Sequence, residues 1–253
     1  MKKNFNINHK MKFGYLSTLD NPLLPEFIKY ASLNKINNVF IIIDTLGINR
    51  KDHDIFKNRT DGKFGESYDL NLFLKKLNDN KIPFYFVENH NSDKAKILYN
   101  DLNLDCLLNA GTPRKISDII LKSIKKGVVN IHPGILPAYR GCSCVEWAIL
   151  NDDPVGNTAH FMDSGYDTGP IILSETYSFP KNSKYTDIRN TIYIRGCQLA
   201  ARVLKGIENN EIVKENCTFQ SNSEGRYWEP IPSNLESNAI NKANLGKYRF
   251  QII

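Results

Sequence analysis

The chain has 253 residues, 41% of them hydrophobic and 24% charged, with a net charge of +6 when histidine is neutral. That balance excludes wholesale disorder, and a chain of this size buries enough surface to fold without metal or disulfide staples. The longest apolar run, Val39–Ile43, falls far short of the roughly 20 residues that cross a bilayer. The basic start MKKNFNINHKMKF has asparagine where a signal peptide needs its apolar stretch, so a cytoplasmic protein without membrane insertion is expected.

In chain order, Lys12–Ser17 reads as a strand and Leu23–Leu33 as a helix, with Leu24, Phe27, Ile28 and Ala31 at three-and-four spacing. Asn38–Asp44 is a buried strand by its β-branched run. Asn49–Ser67 is polar, without periodicity, and reads as a loop. Leu70–Asn78 (helix), Pro83–Val87 (strand), Ser92–Leu102 (helix), Cys106–Ala110 (strand), Ser117–Ser123 (helix) and Val128–His132 (strand) continue the alternation. Two more strands follow, Thr158–Met162 and Ile171–Tyr177, then a long helix from Tyr185 to Glu208. The remaining segment is polar and turn-rich, with short strands expected at Ile212–Lys214 and Cys217–Gln220. The reading is α/β: a Rossmann-like, doubly wound, mostly parallel sheet over residues 1–208 and a small carboxyl-terminal β appendage over 209–253. Ligands of such sheets sit beyond the carboxyl ends of the strands, here the loops after Ala110 and Ile131.

Several chemistries are excluded by missing motifs. No GxGxxG follows the first strand, no GxxxxGK[ST] loop exists, and Gly141-Cys142-Ser143-Cys144-Val145 departs from GxSxG at its last position. The five cysteines lack CxxC spacing, and Cys142-Ser143-Cys144 has no second ligand pair, so free thiols and no metal are expected. Scattered charge gives no nucleic-acid footprint. His9, His53 and His90 stand alone in polar surroundings and read as surface residues, and Trp147 reads as core.

The segment NIHPGILPAYRG, from Asn130 to Gly141, sets an amide and an imidazole two residues apart at the mouth of a strand, where alternate side chains share a face. The block HFMDSGYDTGPII adds His160 and the carboxylate of Asp167 in a glycine-bounded turn. An amide that stabilises an oxyanion and an imidazole that moves a proton suit attack on a carbonyl. The same residues also suit a plain turn, with Asn130 and His132 tying it and Asp167 forming an Asx turn into Gly169.

The pattern N-x-H-P-x-x-L-P-x-[YF]-[RP]-G followed by D-T-G-P-I-I resembles the signature of the folate-dependent formyltransferases, with the strongest motif content between Cys106 and Ile172. The resemblance implies N10-formyltetrahydrofolate as formyl donor, no metal, and a catalytic trio of Asn130, His132 and Asp167. In it a cationic His132, its pKa raised by Asp167, stabilises the tetrahedral intermediate together with Asn130. Proton release from the amine is implied to run through His132, Asp167 or an ordered water. The segment Leu108–Ile116 resembles the family's folate loop, although Asn109 replaces the usual leucine and Pro113 is unusual. By that resemblance Asn109, Ala110, Gly111, Pro113, Arg114, Ile116, His160 and Asp163 line the folate site. A simple strand-to-helix loop capped by Ser117 is the alternative.

The features that divide the family by substrate lie outside this core. Little chain follows Glu208, which is not what the resemblance implies for a methionyl-tRNA formyltransferase. No glycine stands in STLDNPLLPEF for the phosphate loop of glycinamide ribonucleotide formyltransferases, and no regulatory domain of a formyltetrahydrofolate hydrolase fits before Lys12. The chain is most similar to the sugar N-formyltransferases, which implies a nucleotide-linked amino sugar such as a dTDP-4-amino-4,6-dideoxyhexose, a role in O-antigen or lipopolysaccharide biosynthesis, and a homodimer. Tyr139 and Arg140 beside the catalytic loop are candidate substrate contacts, Arg140 alternatively forming a loop salt bridge. Tyr227 and Trp228 either stack on the base or build the appendage core.

Overall fold

Alternate residues of each inner strand go to opposite sides of one sheet. Phe13, Tyr15, Ile41, Ile43, Cys106 and Leu108 join one apolar cluster, whereas Leu16, Ile42 and Leu107 join another. Strands buried on both faces need no polar alternation, which is why they read as continuous apolar runs. The computed structural model describes residues 10–19, 21–47, 50–64, 70–221, 223 and 225–252. Within them run β1 (Phe13–Thr18), α1 (Leu24–Leu33), β2 (Val39–Asp44), α2 (Arg50–Thr60), α3 (Leu70–Asp79), β3 (Phe84–Val87), α4 (Asp93–Asp101), β4 (Cys106–Asn109), α5 (Asp118–Ser123) and β5 (Val128–His132). They are followed by β6 (Arg140–Gly141), α6 (Cys144–Asn151), β7 (Gly156–Phe161), β8 (Ile171–Thr176), α7 (Tyr185–Glu208), β9 (Tyr227–Trp228) and α8 (Ser233–Asn244).

The main sheet has the order β3-β2-β1-β4-β5-β7-β8. Its first five strands are parallel, and β7 and β8 add antiparallel partners at one side. The chain reverses its direction of winding between β1 and β4, so a crevice opens at their carboxyl ends. Helices α1, α3 and α7 cover one face, and α4 and α5 the other. No helix among the described residues is long and apolar enough to cross a membrane.

Three expectations change. Much of the expected loop at 49–67 is the helix α2, with residues 49 and 65–67 outside the described set. Its own sequence is too polar for a periodic signal, and tertiary contacts hold it: the Phe56 ring lies 4.8 Å from Tyr193, and Arg59 reaches Glu236 at 2.8 Å and the buried Glu146 at 3.8 Å. The strands expected at 212–214 and 217–220 reduce to a 3-10 turn at Lys214–Asn216 and a single bridge between Thr218 and Ile171. Beyond them β9 pairs with β6, and α8 buries Ala239 and Ala243, one turn apart, in a third cluster with Ala148, Ile149 and Ile188. Finally, His90 is fully buried beneath the ends of β2 and β3, where its Nε2 meets the Ile42 carbonyl at 3.1 Å. His9 lies outside the described residues, and His53 is half-buried.

Candidate active site

Asn109, Asn130 and His160 occupy directly opposite positions on β4, β5 and β7. Residues in register on neighbouring strands point to the same face at roughly 5 Å spacing, so three polar side chains form a row across the sheet. Asn109 Nδ2 donates to Asn130 Oδ1 at 3.0 Å, and Asn130 Nδ2 meets His160 Nε2 at 3.1 Å. Two residues further along β5, His132 stands on the same face.

His132 is held from both ends of its ring. Nε2 lies 2.6 Å from the Tyr139 carbonyl, which can only accept, so Nε2 carries the hydrogen and Nδ1 faces Asp167 Oδ2 at 3.4 Å. The loop from Pro133 to Arg140 must pass close to the ring to do this, and a Cβ at Gly134 would sit 2.8 Å from Nε2. Asp167 has a left-handed backbone (φ 55°), which aspartate tolerates. Its Oδ2 accepts the Gly141 amide at 2.9 Å, and its Oδ1 lies 3.5 Å from His160 Nε2. Gly141 has φ 91°, and a Cβ there would strike the Trp228 carbonyl at 2.5 Å, so the residue that holds the carboxylate has to be glycine.

Burial alone would raise the pKa of Asp167; the adjacent His160, His132 and the Gly141 amide outweigh it and hold the carboxyl down at about 2. Asp167 is therefore ionised near neutral pH. Burial lowers the pKa of His132 below the ordinary imidazole value, with His160 adding to the effect, and this outweighs the ionised Asp167 and the Tyr139 carbonyl. The expectation of a raised His132 pKa is thus corrected: desolvation of a ring only 4% exposed exceeds the attraction of one carboxylate. The ring rests neutral, with a bare Nδ1 beside a negative charge. Such a group accepts a proton and is paired the moment it does.

The loop of Asn109–Ile116 and the turn carrying Asp163 and Asp167 flank this centre. Lys115 Nζ hydrogen-bonds the Ser164 carbonyl and lies 4.8 Å from the Tyr166 ring, tying loop to turn. Asn109 Oδ1 accepts the amides of Gly111 (3.1 Å) and Thr112 (2.8 Å), Ala110 and Ile116 are buried, and Pro113 is exposed. Arg114 turns inward onto Asp44 at 3.0 Å with its Nε buried and without a hydrogen-bond partner. Asp163 Oδ1 accepts Gly165 N and Thr168 Oγ1. Ser117 stands at the N-cap of α5 without a capping bond from its side chain.

Other candidates are drawn into packing. Arg140, expected beside substrate, is buried; its guanidinium donates to Gln220 Oε1 at 3.0 and 2.9 Å and to the Ser221 carbonyl. Trp228 stacks on Tyr139 with centroids 5.2 Å apart, carries the Arg226 guanidinium 3.7 Å from its ring centroid, and donates Nε1 to the Ala138 carbonyl. That leaves it to the core rather than to a base. The Tyr139 hydroxyl donates to Asp153. Tyr227 stays exposed, with its ring 6.2 Å from the exposed Tyr166.

Gln220 is the residue sequence reasoning missed: its Nε2 donates to the carbonyls of Asp167 (3.0 Å) and Gly169 (2.7 Å) while Oε1 takes Arg140. It braces the Asp167 turn from a distant part of the chain, and no local pattern marks it. Cys144 also lies unexpectedly close, 3.4 Å from His132 Nε2, but burial pushes its thiol well above the usual range and keeps it neutral. All five cysteines are free, and no group of metal-ligating side chains occurs among the described residues.

The formyl transferase family model matches residues 72–204, and the chain belongs to that family. It is 28% identical over 144 residues to the methionyl-tRNA formyltransferase of Clostridium beijerinckii, covering 56% of this chain and 46% of that protein. Over 86 residues it is 42% identical to the GDP-perosamine N-formyltransferase of Brucella melitensis, covering 34% and 31%. The chain thus spans about a third to a half of the length of the curated relatives it matches. Among solved structures the fold is shared with glycinamide ribonucleotide transformylase 1 of Symbiobacterium toebii (TM-score 0.62, 17% identity, covering 84% of this chain and 94% of that one). It is also shared with the N-formyltransferase of Helicobacter canadensis solved with folinic acid and dTDP-3-aminofucose (TM-score 0.59, 19% identity, covering 92% and 80%).

Proposed function

We propose that this protein transfers a formyl group from N10-formyltetrahydrofolate to the amine of a nucleotide-linked amino sugar. The observation that carries the reading is the convergence of Asn130, His132 and Asp167 on one sheet mouth inside the span matched by the family model. When bound, the folate supplies the activated formyl carbon. The loop of Asn109–Ile116 and Asp163 are the groups to hold it, since they combine backbone donors and acceptors, a carboxylate and an exposed proline against the row of polar side chains.

Asn130 has two Nδ2 hydrogens, one directed to His160, which leaves the other for the oxygen that gains charge as the amine adds. One such donor is worth roughly 10²–10³ in rate. His132 Nδ1 takes the proton released by the attacking amine, Asp167 pairs with the imidazolium so formed, and His132 then returns that proton to N10 of the folate as the bond between N10 and the formyl carbon breaks. Tyr139, through its carbonyl, keeps the other nitrogen from competing.

Three features support an amino sugar as acceptor: the 42% identity over 86 residues to a GDP-perosamine N-formyltransferase, the absence of glycine from STLDNPLLPEF at the end of β1 and beyond it, and the exposed rings of Tyr166 and Tyr227 beside Asp167, which suit stacking against a sugar or base. The reading includes cytoplasmic action in surface-polysaccharide synthesis as a homodimer. A monomer by sedimentation at working concentration overturns the last part.

The test is mass spectrometry after incubation with N10-formyltetrahydrofolate and a panel of dTDP-, UDP- and GDP-linked amino sugars, with glycinamide ribonucleotide and methionyl-tRNA as comparators. A one-formyl gain on a nucleotide sugar is the expected result. Gain only on a comparator overturns the acceptor and keeps the chemistry.

A further inference from the structure

An asparagine amide works as an oxyanion donor only if its NH₂ faces the reaction, and its oxygen and nitrogen are nearly the same size. An amide free to turn over presents a carbonyl lone pair to the developing negative charge for part of the time, which opposes the reaction. Something has to decide which way Asn130 faces.

We infer that Asn109 is a positioning residue that fixes the orientation of the Asn130 amide; the inference rests on the proposed role of Asn130 in formyl transfer. The argument starts from backbone groups whose chemistry is not in question. The amides of Gly111 and Thr112 can only donate, and both point at one atom of the Asn109 side chain, at 3.1 and 2.8 Å, so that atom is Oδ1. Asn109 Nδ2 is then left facing Asn130 at 3.0 Å, so the Asn130 atom there is Oδ1. The Asn130 NH₂ must therefore point the other way, to His160 Nε2 at 3.1 Å.

The far end of the row gives the same answer independently. The Phe161 carbonyl lies 3.0 Å from His160 Nδ1 and can only accept, so Nδ1 carries the hydrogen, and in the neutral ring Nε2 offers a lone pair. That lone pair takes the Asn130 hydrogen at 3.1 Å, a closer partner than Asp167 Oδ1 at 3.5 Å. Donor and acceptor alternate without conflict from Gly111 to Phe161. The row exists because β4, β5 and β7 are in register at these three residues.

The test uses the full chain with ¹⁵N-labelled histidine and reads the His160 ring by two-bond ¹H–¹⁵N correlation, with His160→Gln to assign the signal. The wild type is expected in the Nδ1–H form. Asn109→Asp keeps an acceptor for the two amides and removes the donor to Asn130. The Asn130 amide then turns its NH₂ toward the new carboxylate and its oxygen toward His160, whose Nε2 gains a proton. The expected result is a His160 signal protonated at Nε2 together with kcat reduced roughly 10- to 100-fold.

A His160 signal that stays in the Nδ1–H form, with kcat unchanged, overturns the inference. Should Asn109→Asp fail to fold, Asn109→Leu removes the donor to Asn130 and the acceptor for the two amides without adding charge. It is expected to lower kcat at least about fivefold, and an unchanged kcat there also overturns the inference. The ring signal needs no substrate, so a wild-type chain that formylates nothing in the acceptor panel sinks the proposed function alone, and the His160 signal still decides the orientation.

Discussion

Two of the buried histidines near carboxylates, His90 and His132, lie at the carboxyl end of the same sheet, and the chemistry proposed above uses only His132. His90 Nδ1 stands 3.8 Å from Asp44, and His132 Nδ1 stands 3.4 Å from Asp167. Burial lowers the pKa of both rings. The difference lies in what else the carboxylate holds. Asp44 already accepts Arg114 at 3.0 Å, the Leu46 amide at 3.0 Å and the His90 backbone amide at 3.3 Å, so its charge is answered by a guanidinium that also repels a proton on His90. Asp167 accepts the Gly141 amide and otherwise faces the two histidines of the site. A carboxylate matched to an arginine locks a loop, whereas one left to a neutral imidazole can pair with that ring once it takes a proton.

The largest effect that tests this contrast comes from exchanging the two histidines in turn. His132→Asn is expected to lower the formyl-transfer kcat by roughly 10²–10⁴, the range lost with a general base. His90→Asn is expected to leave kcat within about threefold and to lower stability by about 1–3 kcal/mol, because the buried hydrogen bond between the ring and the Ile42 carbonyl is lost. Equal losses of rate in both variants break the comparison.

Acid stability sharpens it next. The folded pKa of Asp167, about 2, lies below its ordinary value of 3.8, so its ionisation stabilises the fold above that value, and the gain disappears as pH falls toward 2. A depression of that size is worth about 2 kcal/mol. Denaturation of wild type and Asp167→Asn is expected to differ most above pH 4 and to converge near pH 2; a constant gap contradicts the assignment. The two histidines act in the same direction at higher pH. Both have lowered folded pKa values, so stability falls as pH drops below the ordinary imidazole value of 6.5, and removing either one flattens that limb.

The smallest effect is on His90 itself. Arg114→Met removes the cation that competes for Asp44, and the His90 pKa is expected to rise relative to wild type in an NMR titration. No movement means that burial alone sets that ring.

Much of the fold was legible because inner strands such as β2 and β5 carry β-branched runs and helices such as α1 and α7 repeat their apolar residues every three or four positions. Helix α2 was not, since its apolar content reduces to Ile55 and Phe56 and its hold on the molecule comes from Tyr193, Glu146 and Glu236, far away in the chain. The carboxyl-terminal helix escaped notice for a related reason, as Ala239 and Ala243 are small and their stripe is visible only against α6. In the site, Asn130, His132 and Asp167 stood out by motif. Gln220 did not, nor did the inward turn of Arg140, because their partnership joins positions 80 residues apart.

By itself the sequence determined the seven strands of the main sheet, the motif and the pairing of an amide with an imidazole on one face of β5, since residues two apart on a strand share a face whatever surrounds them. Only the tertiary structure decided the register that lines Asn109 and His160 up with Asn130, and the burial that leaves His132 neutral. Register between strands is set by packing across the whole sheet, and the charge on an imidazole by how much water and how many ions it meets, neither of which is a property of the residues on either side of it in the chain.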